Sequence, residues 1–148
     1  MKYYHGSRSN FKEFSIPGDG KHGVGFYFTQ DKSEASHFAR SLYGNGTDNQ
    51  PTVYTVQLSV KNLFNTMDVT HCQQVMQYFG LDFKPNKNAG GAKEQYYYLG
   101  KQLKSWGHGD VNQVIKAAGF DALYWEFMNH IVVFEANQIS IIEIESVD

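Results

Sequence analysis

The chain has 148 residues, 41% of them hydrophobic, enough for one domain that buries about two-thirds of the surface its unfolded form exposes. A formal net charge of −2 argues against nucleic acid or an anionic membrane surface as a general partner, and no run approaches the roughly 18 apolar residues of a membrane span. One cysteine, Cys72, excludes an internal disulfide, and MKYYHGSRSN lacks the apolar core of a signal peptide, so a soluble, cytoplasmic domain over residues 1–148 is expected.

In chain order, KYYHG reads as a short strand, followed by a polar loop through Gly18, Gly20 and Gly23. GFYFT is a second strand, rich in the aromatic residues that fit a pleated surface. A helix follows: Asp31 is placed to cap it, Glu34 completes a capping-box spacing, and Ala35, Phe38, Ala39 and Leu42 form its apolar stripe, with Gly44 available to close it. TVYTVQLSV alternates, with Tyr54, Val56, Leu58 and Val60 on one face, and predicts a half-buried strand. Thr70 with Gln73, and Asp110 with Gln113, predict the starts of two further helices, the second stopped by Gly119. Between them, the chain from Lys84 begins as a loop. Tyr96, Leu99, Leu103 and Trp106 then give a weaker helical stripe. FDALYWEF, HIVVFE and ISIIEIE close the chain as strands. No internal repeat interrupts this order, which predicts an α+β domain with a mostly antiparallel core.

Several chemistries are disfavoured. The six histidines and one cysteine form neither CxxC nor HExxH, so no metal is expected. The glycines of GDGKHGVG match neither a GxGxxG fingerprint nor a P-loop, and no GxSxG elbow occurs.

What remains is a constellation: YHGS, then GVGFYFT, then a helix containing ASHFA, and a last strand running into NQI. In this order it resembles the ADP-ribosyltransferase superfamily, in its diphtheria-toxin and poly(ADP-ribose) polymerase branch. It is most similar to the small transferase domains of phage polyvalent proteins. The resemblance covers residues 3–43 and 119–143. It implies a split antiparallel β-sheet core with flanking helices, NAD+ bound as co-substrate in a cleft between two small sheets, and transfer of ADP-ribose with release of nicotinamide. The acceptor, protein or nucleic acid, is left open, and the phage-like affinity implies a host cytoplasm.

The resemblance implies roles for individual residues. His5 would hydrogen-bond a ribose hydroxyl, the backbone of Gly6 would meet the nicotinamide carboxamide, and Ser7 would support them. Tyr27 would stack on the nicotinamide ring, and Phe38 would close its other face. The polymerase-type glutamate, counted back from Gln138, falls on His130, and Glu126 is a second candidate on the approaching arm. A neutral imidazole at His130 accepts the same hydrogen bond, whereas a protonated one repels a forming cation.

Independently of the family, breaking the nicotinamide–ribose bond builds positive charge on the sugar. A site that clamps the ring between aromatic faces and sets acceptors beside that charge gains rate. Plainer readings stay open. His5 and His130 also suit strand ends, Phe38 lies on its own helix's apolar stripe, and Glu126 suits a solvated hairpin. Two other functions also stay open: a 2′-phosphotransferase acting on RNA, which would need arginines or lysines around the cleft, and a module that binds NAD, an ADP-ribose derivative or a protein without turnover.

Overall fold

The computed structural model describes residues 2–20, 22–41, 49–86, 94–108 and 110–147. Among the described residues eight strands and four helices follow one another: β1 (Lys2–Ser7), β2 (Gly18–Gly20), β3 (Gly23–Thr29), α1 (Lys32–Arg40), β4 (Thr52–Leu58), β5 (Leu63–Asn65), α2 (Val69–Tyr78), α3 (Gln95–Ser105), α4 (Val111–Ala117), β6 (Ala122–Trp125), β7 (His130–Val133) and β8 (Ile139–Ser146). The expected α+β class and mostly antiparallel sheet are observed.

The sheet runs β5-β6-β7-β3-β1-β4-β8, with β2 paired to β3. Every pairing is antiparallel except β5 with β6. Its decisive feature is the join between β1 and β3, a single register pair, Tyr4 with Thr29. By contrast β1 lies along β4 from Lys2 to Ser7, and β3 along β7 from Phe26 to Thr29. The two expected small sheets are therefore two halves of one sheet, pinched at β1/β3.

Alternation along the strands assigns the faces. Tyr27 and Val132 lie on the face covered by α2, α3 and α4, whose Val75, Leu99, Leu103 and Ile115 are fully buried there. Phe26, Phe28, Ile131 and Val133 point the other way, where Phe11 and Phe14 of the loop after β1 pack onto them with Tyr54. The small residues Ala35 and Ala39 of α1 pack onto Val53 of β4.

Several local expectations are corrected. β4 is buried on both faces from Thr52 to Val56, rather than half-buried, because α1 covers the second side. Asp68, not Thr70, caps α2, its carboxylate accepting from the Thr70 and His71 amides. Asp31 does cap α1 through the Ser33 and Glu34 amides, but its own amide donates to Thr29 Oγ1 (3.1 Å), so the Glu34 side chain is not spent in a capping box. Trp106 is 63% exposed and follows the end of α3 instead of packing beneath it. The polar loop expected through Gly18, Gly20 and Gly23 contains the three-residue strand β2, and β5 is a second strand as short. Leu42 and Gly44 lie outside the described residues.

Candidate active site

A cavity of about 470 Å³ opens over the pinch, between α1 on one side and the β2–β3 turn and β6–β7 arm on the other. Its walls include His5 and Gly6 from β1, Tyr27 and Thr29 from β3, Glu34 and Phe38 from α1, and Trp125 and His130 from the β6–β7 arm. A second cavity of about 410 Å³ adjoins it and shares His5, Gly18 and Tyr27.

His5 stands where β1 leaves β3. Its ring lies among aromatic neighbours, 5.2 Å from Phe14 and 5.7 Å from Phe28 between centroids. Nδ1 donates to the Tyr27 carbonyl at 2.7 Å, since a carbonyl can only accept. Burial holds the imidazole below its ordinary pKa, against the smaller opposing pull of that bond. The ring is therefore neutral at pH 7, with Nε2 left as an acceptor.

The same burial has a consequence for stability. The folded pKa lies below the ordinary 6.5, so on acidification the unfolded chain takes up the proton first. Stability from this group is complete above that pH and is lost as pH falls through the depressed folded value. Urea midpoints are expected to fall on acidification by more in the wild type than in His5→Gln. Equal falls would contradict the assignment.

Tyr27 is fixed at its far end. Its hydroxyl donates to the Gly23 carbonyl (2.5 Å) and accepts from the His22 amide (3.0 Å), both in the β2–β3 turn. Burial pushes the phenol up to about 12. The ring packs so closely on the turn that a Cβ at Gly20 would meet it at 3.0 Å. His22, which also lines the cavity, is buried with Glu94, Nε2 to Oε2 at 2.8 Å, and its ring lies 4.4 Å from Trp125. Asn112 donates to the His22 and Val24 carbonyls and accepts from Tyr96. The turn carrying Tyr27 is thus tied to α3 and α4.

Phe38 lies on α1 but not in the core. It is 42% exposed and lines the cavity, because α1 approaches the sheet through Ala35 and Ala39 and leaves the bulkier side chain at its flank. Gly6 permits that approach: a Cβ there would stand 1.9 Å from the Ala35 carbonyl oxygen. Ser7 is buried, accepts from the Ser9 amide, and lines the second cavity rather than the first.

His130 lines the cavity edge-on to Trp125, and its Nε2 is hydrogen-bonded to the Glu34 carboxylate. Glu126 is not among the lining residues. It is exposed in the turn Glu126–Met128 and accepts from Asn65 Nδ2 at 3.1 Å.

His5, Gly6, Tyr27, Phe38 and His130 thus meet at one cavity, while Ser7 and Glu126 stand apart from it. Glu34, His22, Asp19 and Trp125 join them without having been picked from the sequence. The spacing that made Glu34 look like a capping residue is the only local signal it carries. Among the described lining residues there is no lysine or arginine. No group of three or more His, Cys, Asp or Glu able to hold a metal occurs among the described residues, and no described helix is long and apolar enough to cross a membrane.

The profile of a family described as "ADP-Ribosyltransferase in polyvalent proteins" matches residues 1–146. One solved structure, described as "Crystal structure of an anti-CRISPR protein", is similar over 96% of this chain and 95% of that one, at 11% identity and a TM-score of 0.46. No curated protein matches.

Proposed function

The chain belongs to the family of ADP-ribosyltransferases in polyvalent proteins, and from that premise we propose that it is an NAD+-dependent mono-ADP-ribosyltransferase acting on a macromolecule in the host cytoplasm. The observation that carries the reading is the meeting of His5, Tyr27, Phe38 and His130, from four separate elements, at one cavity over the sheet pinch.

In this reading the nicotinamide ring lies between Tyr27 and Phe38. The tethered phenol holds its ring in place before substrate arrives, so little ordering remains to be done on binding. Phe38, 42% exposed on α1, closes the second face. The neutral His5, with Nε2 free to accept, holds a ribose hydroxyl, and the Gly6 backbone meets the carboxamide. As the glycosidic bond lengthens, charge builds on the ribose beside the His130 edge of the cavity. The absence of lysine or arginine among the described lining residues gives the 2′-phosphotransferase alternative no support.

The test is label transfer. Purified protein is mixed with cell lysate and NAD+ labelled in the adenylate half, and the macromolecular fraction is then treated with protease or nuclease. Labelled macromolecules are expected, and the treatment that releases the label identifies the acceptor class. NAD+ that binds without transfer or cleavage would move the chain to the binding-module reading. Phe38→Ala is expected to raise the KM for NAD+ by roughly 2- to 10-fold, the value of one aromatic face, with a smaller change in kcat. An unchanged KM would remove Phe38 from the stacking role.

A further inference from the structure

We infer that Glu34, oriented by His130, is the catalytic carboxylate of this cleft. The inference rests on the reading of the cleft as a site of NAD+ cleavage and adds to it the residue that bears the negative charge.

Three observations lead there. Glu34 lines the cavity from α1 while His130 lines it from β7, and the two side chains are joined through His130 Nε2 and Glu34 Oε1. A carboxylate can only accept, so Nε2 carries the proton and His130 is the donor. Glu34 is also released from the capping role its spacing suggested, because the Asp31 amide is taken by Thr29 Oγ1. It lies in the first turn of a nine-residue helix, where the backbone dipole favours an anion. With Oε1 bound to His130, Oε2 is the oxygen available to a ligand.

This arrangement answers the difficulty that a histidine alone creates. Positive charge develops on the ribose as its bond to nicotinamide breaks, and glycoside cleavage in general sets a carboxylate beside such a cation. An imidazole standing alone gives no negative charge, and a protonated one repels the cation. A carboxylate beside the imidazole gives the pair a charge of −1 when His130 is neutral and of 0 when it is protonated. In neither state does the wall carry net positive charge. Glu34 is then the catalytic group and His130 a positioning residue. In the step itself the C1′–nitrogen bond breaks, and its electron pair leaves with neutral nicotinamide. The acceptor's oxygen or nitrogen forms the new bond to C1′, and its proton passes to solvent.

The test compares nicotinamide release by the wild type, Glu34→Gln, His130→Gln, His130→Ala and Glu126→Gln, with thermal midpoints recorded for each. Glu34→Gln keeps the size of the side chain and removes the charge. Its kcat is expected to fall about 10²–10³-fold, as for loss of one preorganised electrostatic group, with KM for NAD+ changed by less than about threefold. His130→Gln retains a side-chain N–H for Glu34 and is expected to keep more activity than His130→Ala, at similar thermal midpoints. A purely structural role for His130 would not give that order of rescue.

Glu34→Gln turning over within about threefold of an active wild type would overturn the assignment. So would a loss in Glu126→Gln larger than that in Glu34→Gln. A folded wild type that releases no nicotinamide would overturn the functional reading itself, and this assignment with it.

Discussion

Gly6→Ala is expected to destabilise the protein by about 3 kcal/mol, the upper end of the cost of forcing one extra carbon into a close-packed contact. The added Cβ would stand 1.9 Å from the Ala35 carbonyl oxygen and 2.9 Å from the Ala39 amide nitrogen. Both are backbone atoms of α1, so no side chain can rotate away and the helix itself must lift from β1. α1 also carries Glu34 and Phe38 into the cavity, so the same displacement is expected to reduce NAD+ turnover by more than the lost stability explains. Chemical denaturation measures the first effect, and turnover well below the melting transition measures the second. A stability change below about 0.5 kcal/mol, the level of an ordinary surface substitution, would show that α1 does not depend on this close approach.

The second large effect is expected at Glu94. Its side chain and that of His22 are only 3% and 2% exposed, and they meet at 2.8 Å. Removing the carboxylate by Glu94→Ala leaves His22 Nε2 without this partner among the rings of Tyr96, Tyr97 and Trp125. Breaking one side of a buried pair costs about 3–5 kcal/mol. The double variant His22→Phe/Glu94→Met replaces both polar groups with apolar bulk and is expected to recover most of the loss, since such swaps are often near neutral. The single variant should also weaken NAD+ binding, because the His22 amide and Gly23 carbonyl hold the Tyr27 hydroxyl. A single variant as stable as the wild type would mean that the pair contributes little to anchoring this turn.

Much of this architecture was legible in the sequence, for physical reasons that differ from element to element. The stripe Tyr96, Leu99 and Leu103 is buried as its spacing predicts, and Cys72, Val75 and Met76 of α2 are buried at the same kind of spacing. Asp110 and Gly119 bound α4 as their side-chain and backbone preferences require, Gly119 with φ +106°. β2 (GDG) and β5 (LFN) were not legible, because three residues are too few to display an alternation. β4 misled in the other direction. Thr55, on the face opposite Tyr54, is buried although alternation made that face the solvent side, and the buried Thr52 satisfies its hydroxyl on the Gln50 carbonyl.

The site divides in the same way. His5 was marked by a short motif at a strand end and Tyr27 by the strand motif GFYFT, and both line the cavity. Phe38 was ambiguous because a helical stripe says which residues share a face but not how closely the helix approaches. Here that distance is set by Gly6 across the interface. Glu34 was missed because its partner His130 is 96 residues away in the chain and lies on a strand brought beside β3 only by the sheet order. A local pattern has no access to such a pair, and the capping-box spacing gave a sufficient reason to look no further.

The most direct test of the account is nicotinamide release from NAD+ by the purified protein near neutral pH, with His5→Ala as the paired control. Steady release by the wild type, reduced at least about 10²-fold in a folded His5→Ala variant, is the predicted result. Release unaffected by the variant, or none from a folded wild type supplied with lysate acceptors, would contradict the claim that this cleft cleaves NAD+.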